Sequence, residues 1–255
     1  MKPYIPAILI TIATAFGCSS EIEFTPVAPP SPTGNSDLLI SEISTAINTD
    51  ATTGATRPHY VELYNGTTAN TDLSNYAIGY FATSDANTLA NWAFADGNFL
   101  ALTGSVETTK CYVISSPQAD ATIGKRDITW GTTSTTNANA SVPLQLSGNS
   151  AIALLKKDAA GTITLGGSTY KIIDVFGSPQ VARVTSTGSS SSRNNFVWTI
   201  AGETDTRNRT FMRKATVTKP TTDWATAKGT TPQDSEWQVS ADRAWDYTNL
   251  GLPTR

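Results

Sequence analysis

An all-β sandwich is the fold class predicted for this 255-residue chain, and three observations predict it. Short apolar runs recur along the sequence with turn residues between them. Thr, Ser, Asn, Gly and Ala dominate a composition in which only 15% of residues are charged. No long stretch carries the 3.6-residue apolar period of an amphipathic helix.

The first element is a leader. Lys2 gives a short basic start, Tyr4 to Gly17 is mostly apolar, and Ala15-Phe16-Gly17-Cys18 ends the run. This order reads as a signal peptide over residues 1–17, too short for the roughly 20 residues that a membrane-spanning helix needs. Small residues before a cysteine resemble a bacterial lipobox, and the resemblance makes Cys18 the site of lipid attachment. Residues 18–36 then read as a Pro-rich tether. At about 3.1 Å per residue in polyproline II, its residues 19–34 span up to roughly 50 Å.

Residues 37–255 are read as one β-sandwich domain. Leu38-Leu39-Ile40-Ser41-Glu42-Ile43 starts it, and the change of apolar parity between Ile40 and Ile43 predicts a bulge near Ser41 and Glu42. In Tyr60-Val61-Glu62-Leu63-Tyr64, Val61 and Leu63 share one face and Glu62 lies on the other, as a structural acceptor or ion-pair partner. A polar turn at residues 72–76 follows. Further strands are predicted over 76–82, 98–102, 110–115, 142–146, 151–156, 171–176 and 210–214, with one helical turn starting at Pro117. Residues 131–141 and 185–195 read as long loops. With Cys18 lipidated, Cys111 is left without a partner for an intrachain disulfide. Its alternation with Val113 marks it as a small buried hydrophobe.

The ordered series of these segments resembles the lamin tail domain of secreted bacterial proteins. The opening runs at 38–43, 59–66 and 72–76 carry the likeness first. Leu100 to Val106, Tyr112-Val113-Ile114, Leu144 to Leu154, Ile172 to Gly177, Thr210 to Lys214, Glu236-Trp237 and Leu250-Gly251 continue it. The turn at Ser147 to Ser150 departs from it, because bacterial relatives often carry acids there. The resemblance implies an immunoglobulin-like sandwich and a non-catalytic module for binding or attachment.

The residues point the same way. His59 is the sole histidine, so a two-histidine metal motif cannot be built within one chain, and neither a Gly-x-Ser-x-Gly elbow nor a phosphate-binding loop is present. His59 itself reads as a strand-edge residue. No cofactor is expected. Carboxylate pairs such as Asp96 with Glu107, or Glu203 with Asp205, read as solvated loop residues and leave open calcium binding or a hydrolase that uses loop carboxylates.

Charge is unevenly spread. Residues 19–109 hold one arginine against ten acids, whereas residues 110–255 hold sixteen basic residues against eleven acids. Pairing between the halves inside one domain is the simplest expectation. Arg207, Arg209 and Arg213 share strand parity with Phe211, a pattern able to form a basic, aromatic face for phosphate or acidic polysaccharide. Of the six tryptophans, Trp92 and Trp130 lie beside polar loop segments and are candidates for stacking on sugar rings. The expected protein is an outer-membrane lipoprotein of the bacterial envelope, held to the membrane by its lipid, with an extracellular polymer or envelope protein as partner. The alternative is a carbohydrate- or nucleic-acid-binding accessory of a secreted enzyme system.

Overall fold

A computed structural model of the chain describes residues 36–45, 59–81, 87–95, 97–119, 125–131, 144, 146–185, 196–241, 247 and 249–252. The expected leader, Cys18 and most of the tether lie outside these residues, as do most of the two predicted long loops and Trp245. In chain order the strands are β1 (Leu39–Ser44), β2 (Tyr60–Tyr64), β3 (Thr71–Asp72), β4 (Tyr76–Phe81), β5 (Phe99–Ala101), β6 (Ser105–Val106), β7 (Cys111–Ser115) and β8 (Ile128–Thr129). They continue with β9 (Ala151–Lys157), β10 (Ile163–Leu165), β11 (Ser168–Phe176), β12 (Val184–Thr185), β13 (Phe196–Val197), β14 (Thr210–Arg213) and β15 (Trp237–Val239). A 3-10 turn at Pro117–Ala119 stands where the sequence predicts a helical turn, and a single-turn helix, α1, covers Trp224–Ala227.

The protein is all-β and sandwich-like. A six-stranded sheet has the order β15-β14-β1-β2-β7-β8, and a five-stranded sheet has the order β10-β11-β9-β4-β5. Their pairings are antiparallel except for β7 with β8. One apolar core takes Ile40, Val61 and Ile114 from the first sheet and Ile78, Leu154 and Phe176 from the second. At its centre Phe176 lies 5.0 Å from Phe211 and 5.1 Å from both Trp224 and Trp237, centroid to centroid. Such pairs add about 0.5–1.5 kcal/mol beyond the area they bury.

The bulge in β1 falls where the parity change predicts it: the register with β2 shifts between Ile40 and Glu42. That shift lets Ile40 and Ile43 both reach the core, while Leu39, Glu42 and Ser44 take the opposite face. A matching shift lies in β11 between Ile172 and Asp174. Asp174 is thereby turned between the sheets. Its carboxylate accepts from the Ile40 amide (2.7 Å), the Thr221 amide (2.9 Å) and Arg213 Nη1 (2.5 Å). Arg213 reaches on to Glu236 at 2.6 Å, so one buried network ties β1, β11, β14 and the approach to β15.

The expected strand at 142–146 is corrected at its described residues. Leu144 sits in a turn with φ 55°, and Leu146 is irregular. The physical reason is His59. The Leu146 amide donates to His59 Nδ1 (2.9 Å) and the Leu144 carbonyl lies 3.0 Å from the same nitrogen, so this backbone answers a side chain rather than a neighbouring strand. His59 directly precedes β2 and is buried.

Candidate functional site: an open polar shelf

The polar turn before β4 is built from its own side chains. Asn65 donates to the Ala69 and Val106 carbonyls and accepts from the amide and hydroxyl of Thr67. Asn70 Oδ1 accepts from the Thr108 amide (3.2 Å). Asp72 caps the 3-10 turn Leu73–Asn75 by accepting from the amide and hydroxyl of Ser74, each at 2.9 Å. Those two Ser74 bonds hold the Asp72 carboxyl below the usual carboxylate range. A segment bonded this often to itself stays in place without a ligand.

Next to this turn the start of β1, the start of β4 and the end of β9 meet. Asp37 accepts from Tyr76 Oη (2.5 Å) and Lys156 Nζ (2.7 Å), and Lys156 also lies 5.3 Å from the centroid of the Tyr76 ring. Burial, then the bond to Asp37, pushes the Tyr76 hydroxyl far up. Between these groups and the turn lies an open cavity of about 360 Å³, lined by Asn70, Thr71, Asp72 and Lys157 among others. Lys157 is exposed and makes no ion pair among the described residues.

The residues singled out from the sequence fall elsewhere. Phe211 and Arg213 share one face of β14, but that face is not a surface, and Arg207 and Arg209 precede the strand, where the left-handed backbone at Asn208 (φ 54°) breaks the expected alternation. Phe211 is fully buried and Arg213 is 3% exposed, because that side of β14 faces the core and Asp174. Arg207 clasps Asp205 through Nε (2.9 Å) and Nη2 (3.2 Å). Arg209 holds the Asp205 carbonyl (2.6 Å), the Ser240 carbonyl (2.6 Å) and Glu203 (3.2 Å). Both arginines are thus spent on loop structure. Trp130, the other candidate for stacking on sugar rings besides Trp92, is 8% exposed and packs in the core. Trp92 is half-buried and packs between Phe81 and Phe94 at 6.0 and 5.7 Å.

Charge pairing between the halves is seen in Lys156 with Asp37. The remaining described pairs, such as Lys171 with Asp158 (2.7 Å) and Arg213 with Asp174, lie within the second half. Glu62, read as a structural acceptor, takes bonds from Ser41 Oγ (2.6 Å) and the Gly251 amide (2.7 Å). Its cross-strand neighbour Glu42 accepts from Tyr60 Oη, and burial followed by that carboxylate raises the Tyr60 pKa. Among the described residues, no group of three or more His, Cys, Asp or Glu is placed to hold a metal ion, and no helix is long and apolar enough to cross a membrane.

The shelf residues escaped the sequence reading. Asp72 opens the polar turn expected at 72–76 and Lys156 ends the strand expected over 151–156, while Asn70, Thr71 and Lys157 carry no expectation. The one available signal is that two adjacent lysines close an otherwise apolar run, which marks a strand end meeting solvent.

Fold and shelf together define an all-β domain with a preformed polar cavity. No family model, curated protein or solved structure matches the chain.

Proposed function

We propose that this chain is a non-catalytic envelope lipoprotein whose folded part is a lamin-tail-like, immunoglobulin-like module for binding or attachment. The observation that carries this reading is how the ionisable groups are used. Asp174, Arg213 and Glu236 bind the sheets to one another, Arg207 and Arg209 tie loops, and at the open polar cavity Asp37 is engaged by Lys156 and Asp72 by Ser74. Such a surface is suited to holding a ligand rather than to cycling protons. The leader, Cys18 and the Pro-rich stretch supply the address in this reading, with the folded part standing off the membrane.

The address is tested by fractionating cells that express the wild type or Cys18→Ala, followed by immunoblot. The wild type is expected with the membranes, and the variant is expected to leave them. A wild type found wholly in the soluble fraction sinks the lipid tether.

A further inference from the structure

We infer that the shelf between Asn70 and Lys157 is a binding site for a neutral, hydroxyl-rich ligand, one or two units of a saccharide chain. The inference rests on the proposed binding role and adds the site and the ligand chemistry. The cavity of about 360 Å³ falls within the range of known small-ligand sites and is open to solvent.

Charge decides the class of ligand. Two carboxylates, Asp37 and Asp72, face two ammonium groups, Lys156 and Lys157, so the shelf offers no net attraction to either sign. An anionic chain would have to approach both carboxylates. A bare cation would have to compete with Lys156 and Tyr76 for Asp37, and with Ser74 for Asp72. Sugar hydroxyls meet neither obstacle, because each both donates and accepts. Among the residues that line the shelf, Lys157 and Asn70 carry donors, Ser36 and Thr71 carry hydroxyls, Asp72 carries an acceptor and Ala69 a methyl. Bonds from Ser74 to Asp72 and from the Thr108 amide to Asn70 hold these two side chains before any ligand arrives, which lowers the ordering cost of their part in binding.

The test is titration of the isotope-labelled full chain in detergent micelles, read by amide resonances, with maltohexaose, cellohexaose and chitohexaose. A heparin hexasaccharide is the anionic comparison. At least one neutral hexasaccharide is expected to shift the amides of Asn70, Thr71, Asp72 and Lys157 at or below about 5 mM. Lys157→Ala is expected to weaken that binding tenfold or more, whereas Arg207→Ala leaves it unchanged. Silence of all three neutral sugars at those amides, or tighter binding of heparin there, overturns the inference. A neutral sugar that shifts only the amides around Trp92 overturns the shelf but keeps the binding role. Release of new reducing ends, abolished by one carboxylate-to-amide change, overturns the non-catalytic reading itself.

Discussion

Asp174 is the residue on which the joining of the two sheets turns. Burial pushes its carboxyl above the usual carboxylate range, while Arg213 and the amides of Thr221 and Ile40 pull the other way. Removing one member of a buried pair costs about 3–5 kcal/mol, because the other charge is left in a poor environment. Asp174→Ala should therefore lower stability by about that amount in urea unfolding. The double change Asp174→Leu with Arg213→Met should recover part of it, since no buried charge is left facing an empty partner, although the Ile40 and Thr221 amides lose their acceptor. Equal losses in the single and double variants would remove the pair from this role. Asp205 tests the same kind of bond at a more exposed place. The Arg207 side chain, more than any other group, holds its carboxyl below the ordinary value. A depressed folded pKa gives stability that is present above the unfolded value, about 3.9, and is lost as pH falls through the folded one. The Tm difference between wild type and Asp205→Asn should be fully developed at neutral pH and shrink only below about pH 4. A difference independent of pH would show that the clasp acts through shape alone.

At the scale of elements, the turn after β11 is set by a glycine. Gly177 has φ 76°, and a Cβ there would stand 2.9 Å from both the Ser150 carbonyl oxygen and Trp198 Nε1. Trp198 Nε1 donates to that same carbonyl at 3.2 Å, so the added methyl would press on a bond inside the core. Gly177→Ala should cost about 1–2 kcal/mol from the left-handed backbone alone, and more if Trp198 moves. Urea unfolding measures the loss, and tryptophan fluorescence reports the shift of Trp198. An unchanged midpoint would mean that the turn relaxes freely.

The elements also show what the sequence could reveal. Long apolar strands such as β2, β7 and β9 were legible from alternation and burial, and the β1 bulge from a parity change at Ser41 and Glu42. β5 lies inside the strand expected over 98–102, whereas β15, α1 and the short strands β3, β6, β8, β10, β12 and β13 were not legible, because so few residues carry no measurable period. Alternation also groups side chains without saying which face is inside, so Phe211 and Arg213 were placed together but on the wrong side. The missed signal was Asp174 amid Ile172, Ile173, Val175 and Phe176. A carboxylate in an apolar strand demands a buried cation, and Arg213 is that cation.

For the whole molecule, the outer face of the six-stranded sheet raises a question of cover. Leu39, Tyr64 and Cys111 form one rung of that face, Glu42, Glu62 and Val113 the next, and Ser44, Tyr60 and Ser115 a third. All nine are buried. What lies over them includes residues from the C-terminal part of the chain. Leu250 packs with Tyr60, Val113 and Ala119, the Tyr247 ring stands edge-on to Tyr60 at 5.8 Å, and the Gly251 amide donates to Glu62. Lys125 fastens this segment by donating to the Gly251 carbonyl (3.1 Å), and the Leu252 carbonyl lies 3.6 Å from Cys111 Sγ. The thiol is therefore a reporter of the cover. In a Cys18→Ala background, Cys111 should react slowly with a thiol reagent under native conditions. Leu250→Ala should cost about 2–5 kcal/mol and raise the rate in step with the lost stability. Deleting residues 247–255 should bring the rate near that of the unfolded chain while far-ultraviolet circular dichroism still reports β-structure, because the core between the sheets does not depend on this segment. If the shortened chain keeps Cys111 as slow as the full one, the sheet itself shields the thiol and the segment is an ornament rather than a cover.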